Sequence, residues 1–185
     1  MKKIVQQNEK VLRQIAREIP VAEIKTKRIQ TIIKEMSEAL ASQDDGVAIA
    51  APQIGYPLQI FVVSGKIFAP DFITKRTKRT LSDEPQKTKK VAEIKDFVFI
   101  NPKISKLSRE KEWVPEGCLS VRWLYGQTFR SKKATIAAYD ENGKKFIRGA
   151  SGLLAQIFQH ETDHLSGVLF IDHAKDIKEE LPQNV

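Results

Sequence analysis

The sequence predicts an α+β fold with antiparallel strands, and three observations lead to it. Residues 24–40 and 151–165 have the apolar spacing of amphipathic helices. Residues 133–149 have the pattern of a β-hairpin, and short apolar stretches at 58–64 and 97–104 indicate further strands. Helices and antiparallel strands within one chain place the protein in the α+β class.

Length and composition predict one domain over residues 1–185. A chain of 185 residues, 41% apolar and 29% charged, can bury a substantial core. No apolar run approaches the roughly 20 residues of a membrane helix, and the start, MKKIVQQNEK, lacks the apolar stretch of a secretory signal. Cys118 is the only cysteine, so no internal disulfide can form, which favours a reducing compartment such as the cytoplasm.

The first helix is predicted from apolar residues that can share one face, and turn chemistry at 42–46 ends it. The apolar residues are Ile24, Ile29, Ile32, Ile33, Met36 and Leu40.

The strands follow from local composition. LQIFVVS at 58–64 and FVFINPKI at 97–104 are apolar and of strand length. In KATIAAYDENGKKFIRG, at 133–149, Asn142-Gly143 is the pair that favours a hairpin turn. From 151 onward the apolar period returns to that of a helix.

Residues 65–91 differ in kind, with few apolar and many basic residues, and we expect a long surface loop there. Eight basic and three acidic residues give this segment +5 of the net charge of +8. Such a charge is usual for a solvated surface, and it also attracts polyanions such as RNA.

The second helix carries QHETDH at 159–164. Residues four apart lie on one helix face, so His160 and His164 can bind one metal ion together. Glu161 is rotated by one residue, which suits a base that takes a proton from a water molecule at the metal. Two surface histidines on an amphipathic helix are the ordinary alternative.

A catalytic site of this kind needs a third protein ligand. One metalloprotease pattern would require a histidine where this chain has Phe170, and His173 comes three residues too late. Glu179 and Glu180 remain as downstream alternatives. Cys118, in PEGCLS, is the better candidate, since Gly117 would let the backbone approach the bound ion.

Three motifs together resemble those of the peptide deformylase family. They are GVAIAAPQIG at 46–55, EGCLS at 116–120 and QHETDHLSG at 159–167, in the order of the family. The resemblance implies antiparallel sheets around a central helix that carries H-E-x-x-H, with another helix near the N terminus. It covers nearly the whole chain, apart from the loop at about 65–91.

The resemblance also implies a metal-dependent hydrolase that removes the N-formyl group from the N-terminal formylmethionine of new polypeptides. Cys118, His160 and His164 would hold one divalent metal ion. In the family that ion is Fe²⁺ in the cell, and Zn²⁺, Ni²⁺ or Co²⁺ can occupy the site. The sequence does not choose among them.

Catalytic roles follow from the same resemblance. Glu161 would be the general base, passing the proton of water to the leaving amine. The Gln53 side chain and the Leu119 backbone N–H would donate hydrogen bonds to the oxyanion.

The substrate peptide would lie extended and form strand-like bonds with the backbone of Val47 and Ala48 on one side and Gly117 on the other. The methionine side chain would enter an apolar pocket lined by Val47, Leu153 and Ile157.

Three departures from the family pattern concern the substrate. Ala48 replaces a glycine, and its methyl group could crowd the peptide. Residues 121–125, VRWLY, are bulkier than the family's Pro-Gly sequence. Gln156 stands where an apolar residue is common near the methionine pocket.

Two other functions remain as alternatives. A generic zinc endopeptidase would need a third ligand downstream, and a non-catalytic, metal-stabilised module would bind RNA or ribosomes through its charge and leave Glu161 idle. For a deformylase, the expected partners are N-formylmethionyl peptides and, through the basic loop, the ribosome. We expect a monomer with no membrane contact.

Overall fold

The computed structural model of the chain describes residues 2–69, 72 and 94–181. Within these ranges lie two α-helices, α1 (Lys27–Ala41) and α2 (Gly152–Leu165), and eight strands in antiparallel sheets. This confirms the predicted α+β class.

The strands form two sheets. In chain order they are β1 (Ala48–Ala50), β2 (Ile60–Val63), β3 (Phe97–Leu107), β4 (Lys111–Gly117), β5 (Leu124–Ser131), β6 (Lys133–Tyr139), β7 (Lys145–Ser151) and β8 (Lys175–Glu179). The larger sheet has the order β1-β2-β3-β6-β7 and the smaller one the order β4-β5-β8. All neighbouring strands run antiparallel.

The larger sheet has a hydrophobic core on each face. Because side chains alternate along a strand, Ile60 and Val62 of β2 pack in the cluster that contains the buried face of α1. Phe61 and Val63 point the other way, into the cluster that contains α2. Coverage on both faces explains why this strand is an uninterrupted apolar run in the sequence.

Helix α2 packs against strands of both sheets. Its Phe158 meets Phe99 of β3 edge to face, with ring centroids 5.2 Å apart. On the side of the smaller sheet, Arg130 of β5 donates to Asp163 of α2 at 2.6 Å. The helix is therefore held by apolar packing on one side and by an ion pair on the other.

The predicted elements match the observed ones except at their ends. Helix α1 begins at Lys27 rather than at 24, after a short 3-10 helix at Val21–Glu23. The predicted hairpin is β6 and β7, where Gly143 has a φ of 75° and the Asp140 carboxylate accepts the N–H of Asn142.

Sequence patterns did not predict the hairpin of β4 and β5, nor β8. Strand β4, KEWVPEG, contains Pro115 and three charged residues, which argue against a strand. The proline is tolerated because β4 lies at the edge of its sheet. Strand β8 is exposed throughout, so no apolar alternation marks it.

Neither described helix has the length and apolar character that crossing a lipid bilayer requires. Of the predicted loop at 65–91, Gly65–Phe68 forms a short 3-10 helix. Residues 70, 71 and 73–93 lie outside the described ranges, and with them most of that predicted loop.

Candidate metal centre

Helix α2 places His160 and His164 on one face, with ring centroids 4.9 Å apart. His164 is only 1% exposed. The helix is anchored on its opposite side by Phe158 and Ala155 in the core beside the larger sheet. The two imidazoles are thus held close together by a rigid, buried element.

Cys118 follows β4 directly and completes a cluster of three donors. Its Sγ lies 3.2 Å from Nε2 of His164, and one donor atom from each of Cys118, His160 and His164 lies within 4.8 Å of the others. One thiolate and two imidazoles are a donor set that suits zinc or iron, and they leave a coordination position open for catalysis. The residues present therefore fit a catalytic metal ion.

The role of Gly117 is steric. A Cβ at this position would lie 2.6 Å from the ring of Tyr125, its partner across β4 and β5. Glycine at this position therefore makes room for the aromatic ring of Tyr125. The predicted close approach of its backbone to a bound ion stays a prediction.

Gln53 is 2% exposed and lies in a short 3-10 helix, Ala51–Ile54. Its Oε1 accepts the N–H of Ala50 at 2.8 Å, and Nε2 donates to Ser120 Oγ at 3.2 Å and lies 3.5 Å from Cys118 Sγ. Because the backbone holds the oxygen, the NH₂ group faces the donor cluster. A fixed donor beside a metal site is suited to stabilising an oxyanion.

Glu161 is 4% exposed, and its Oε2 has no hydrogen-bond partner among the described residues. Burial raises the pKa of its carboxyl group to about 7. A bound dication would add positive charge and lower this pKa. Burying a carboxylate oxygen without a hydrogen-bond partner lowers the stability of the fold. A catalytic role therefore explains Glu161 better than a stabilising one.

A charged network behind His160 was not indicated by the sequence patterns. Nδ1 of His160 lies 3.1 Å from Oε2 of Glu116, and Arg130 binds both oxygens of Glu116, at 2.8 and 3.0 Å. Burial alone would raise the pKa of Glu116, but hydrogen bonds from His160 and Arg130 outweigh it and hold the pKa well below its usual range. A carboxylate on the far nitrogen orients a metal-binding imidazole.

Replacing Glu116 by glutamine is expected to weaken metal affinity by about 10–100-fold, since the anionic partner of His160 is lost. Competition with a chromogenic chelator measures this. Glu112→Gln, on the same strand, is the control and should bind as the parent does. Equal affinity in both variants would mean that Glu116 does not support the metal site.

The remaining histidine and the downstream acids lie outside the donor cluster. His173 is 3.5 Å from Asp163 through Nε2, and Glu179 is an exposed residue of β8. Neither belongs to the group of donors that the described residues bring together.

Residues expected to contact substrate lie on two sides of the cluster. Val47 and Ala48 stand at the start of β1, an edge strand of the larger sheet. No hydrogen bond among the described residues uses the Leu119 N–H, next to Cys118. Ile157 is buried in the apolar cluster that Val47 packs against.

Leu153 lines a cavity of about 240 Å³ between α2 and the smaller sheet. Gln156 lines it too, and its NH₂ group donates to the carbonyl of Pro115 at 2.9 Å. The other lining residues are Glu112, Val114, Arg130, Ser131, Lys132 and Gly152. The polar end of Gln156 is therefore engaged with β4.

The bulky segment at 121–125 has structural contacts. Val121 is buried against Leu12 and Phe170, and Arg122 forms an ion pair with Asp45. These contacts account for two of the side chains that depart from the family pattern.

The comparisons with known proteins agree with each other. The sequence model of the polypeptide deformylase family matches residues 1–180. A peptide deformylase of Psychrobacter cryohalolentis is 36% identical over 160 residues, which are 86% of this chain and 73% of that protein. The chloroplastic peptide deformylase 1A of Solanum lycopersicum is 37% identical over 175 residues, which are 93% of this chain. The chain spans only 59% of the length of that plant protein.

Solved structures show the same relationship. A class I type b peptide deformylase from Acinetobacter baumannii, solved with Met-Ala-Ser bound, has a TM-score of 0.76 and 26% identity, covering 94% of this chain and 98% of that one. A peptide deformylase from Legionella pneumophila has a TM-score of 0.75 and 30% identity, covering 95% and 87%. With a family match over nearly its whole length, the chain belongs to the polypeptide deformylase family.

Proposed function

We propose that this protein removes the formyl group from the N-terminal formylmethionine of newly made polypeptides, as a single catalytic domain. The observation that carries the proposal is the convergence of Cys118, His160 and His164 beside the buried Glu161. A divalent ion held by these three donors would lower the pKa of a water molecule and polarise the formyl oxygen.

The protein residues supply proton transfer and charge stabilisation. Glu161 takes a proton from the attacking water and delivers it to the amine nitrogen as the C–N bond breaks. The products are formate and a free N-terminal amine. The NH₂ group of Gln53 and the N–H of Leu119 donate to the oxygen on which negative charge develops.

The substrate peptide adds to the free edge of β1. An edge strand offers unpaired N–H and C=O groups, here those of Ala48, with Gly117 opposite. The expected backbone contact with Val47 has to share its carbonyl, which already accepts the N–H of Ser64 at 2.9 Å. The Ala48 side chain packs in the core cluster, so its methyl group leaves the edge open. The structure of the Acinetobacter baumannii relative with Met-Ala-Ser supports a short peptide as ligand. Leu153 contributes to the methionine pocket.

The test is turnover of formyl-Met-Ala-Ser under anaerobic conditions by protein loaded with Fe²⁺ or Ni²⁺. We expect formate release and no cleavage of internal peptide bonds. Cleavage of an unformylated peptide would favour a zinc endopeptidase, and metal binding without turnover would favour a non-catalytic module. Placement of Cys118 in the donor cluster argues against the endopeptidase, which needs its third ligand downstream.

We propose Fe²⁺ as the cellular ion, as the family resemblance implies; a ligand set with one thiolate is compatible with iron as well as with zinc, nickel or cobalt. A ferrous ion beside a thiolate is open to oxidation at the metal and at the sulfur. The Fe²⁺ form is therefore expected to lose activity in air faster than the Ni²⁺ form. Activity half-lives in aerated buffer measure this, and equal half-lives would contradict the expected oxygen sensitivity of the Fe²⁺ form.

The compartment and assembly proposed are the cytoplasm and a monomer. A donor set with the chain's only cysteine favours a reducing compartment. All the donors come from one chain, so a second copy is not required.

The basic segment 65–91 is proposed to hold the enzyme near ribosomes through its net charge of +5. Replacing residues 66–90 by a short Gly-Ser linker is expected to weaken ribosome binding, because fewer counterions are released. Turnover of a free formyl-peptide should hardly change. Co-sedimentation with ribosomes at several salt concentrations measures the effect, and equal, salt-insensitive binding by both forms would exclude this role.

A further inference from the structure

The outer face of the smaller sheet exposes large aromatic side chains. Trp113 of β4 and Phe129 of β5 are direct partners across the strands, 46% and 50% exposed. Their ring centroids lie 5.1 Å apart with an interplanar angle of 35°. Tyr125 lies four residues before Phe129 on the same strand and so on the same face. Adjacent exposed aromatic rings of this size indicate a binding surface.

Lysines accompany these rings. Nζ of Lys175 lies 4.7 Å from the ring centroid of Trp113, and Nζ of Lys111 lies 5.7 Å from that of Phe129. Lys178 pairs directly with Tyr125 in the register of β5 and β8. Rings and ammonium groups therefore occupy one surface, which we call the aromatic-lysine face: Lys111, Trp113, Tyr125, Phe129, Lys175 and Lys178.

Acidic residues of the same strands point mostly elsewhere. Glu112 and Glu116 alternate with Trp113 along β4 and lie on the opposite side, toward the cavity and His160. Glu179 pairs with Leu124, whose side chain is opposite to that of its neighbour Tyr125. Asp176, at the register shift in β8, is the remaining acid in these three strands. Among the charged residues of these strands, the face therefore carries three lysines, Lys111, Lys175 and Lys178, against at most one acid, Asp176.

We propose that the aromatic-lysine face binds single-stranded RNA. Exposed rings provide stacking platforms for bases, and lysines beside them neutralise the phosphates, which is how proteins hold single strands without reading sequence. An acidic peptide would satisfy the lysines but has no flat base to stack on the rings. The choice of RNA over DNA rests on the proposed function, since new polypeptides emerge at an RNA-rich particle, whereas the stacking argument is independent of it.

The test uses fluorescence, because Trp113 and Trp123 are the only tryptophans. In a Trp123→Phe background, a 12-nucleotide oligouridine is expected to quench Trp113, with an affinity that falls steeply as salt rises. Phe129→Ala should lower the affinity about tenfold or more by removing a stacking surface. Lys175→Gln should reduce the slope of log affinity against log salt concentration by about 1, the loss of roughly one phosphate contact. Every variant keeps all the charged residues of the basic segment 65–91, so its charge contributes equally.

The matched control is Phe68→Ala. Phe68 is also an exposed ring with a cation above it, Arg148 at 5.1 Å, but it packs on Phe97 of the larger sheet, 4.9 Å between ring centroids, so the affinity should not change. Melting temperatures verify that each variant is folded, and Lys175→Gln repeats the test without removing a ring. Stronger binding of oligodeoxythymidine than of oligouridine would overturn the choice of RNA.

Three other results would overturn the proposal: no quenching at low salt, equal quenching by polyglutamate, or sedimentation that shows a dimer which Trp113→Ala dissociates. Formyl-peptide turnover is measured in parallel. An inactive protein that binds oligouridine would refute the proposed function alone, and an active protein that does not bind it would refute this inference alone.

Discussion

Replacing Glu161 by glutamine is expected to lower kcat/KM for formyl-Met-Ala-Ser by about 10²–10⁴-fold, the usual loss when a general base is removed. Glutamine has nearly the same shape as glutamate, but its amide cannot accept a proton from water. Glu161 is buried, and its Oε2 is not used by any hydrogen bond within the described part of the chain. The substitution therefore removes the proton acceptor without breaking a hydrogen bond of Oε2.

The metal should remain bound in this variant, because Glu161 is outside the donor cluster. Metal content by mass spectrometry and steady-state turnover, measured on the same preparation, separate the two effects. Glu38→Gln makes the same chemical change on an exposed face of α1, where Glu38 lies 3.8 Å from Lys34, its one ion-pair partner within the described ranges, and it should leave metal content and turnover unchanged. Parental turnover with Glu161→Gln would assign the proton transfer to another group.

Replacing His164 by asparagine is expected to abolish stoichiometric metal binding and, with it, turnover. His164 is a buried donor, 3.2 Å from Cys118 Sγ, and an asparagine side chain is too short to take its place. Loss of a ligand should weaken affinity beyond the roughly 100-fold typical of losing a ligand's hydrogen-bonded partner. Equilibrium dialysis against buffered metal measures it.

His173→Asn provides a matched control for this experiment. It makes the same substitution at a half-exposed histidine whose side chain lies 3.5 Å from Asp163 and outside the donor cluster of the described residues. Metal content and turnover should stay near parental values. If His173→Asn lost the metal and His164→Asn kept it, the metal would have a ligand downstream of His164 in the sequence, as the endopeptidase alternative requires. Melting curves of the metal-free variants show whether a loss of metal binding or turnover is caused by unfolding.

The parts of the molecule that the sequence predicted well are those with a local signal. Helix α2 was predicted because its apolar residues repeat with the helical period, and the spacing of His160 and His164 follows from the same period. Strand β2 was predicted because both of its faces are buried, which makes it a continuous apolar run.

The parts that the sequence did not predict depend on contacts between distant residues. Glu116 was visible only as a member of a motif, because its pairing with Arg130 needs β4 and β5 to lie side by side. That hairpin was missed, since Pro115 and the charged residues of β4 conceal an edge strand. The steric need for glycine at 117 could not be predicted either, because the ring of Tyr125 approaches it only when β4 and β5 are paired.

X-ray absorption at the metal edge tests most directly the claim that Cys118, His160 and His164 hold the catalytic ion. In the active, metal-loaded protein we expect one sulfur scatterer at about 2.3 Å and two imidazole nitrogens at about 2.0–2.1 Å. A spectrum of active protein with no sulfur in the first coordination sphere would contradict the account.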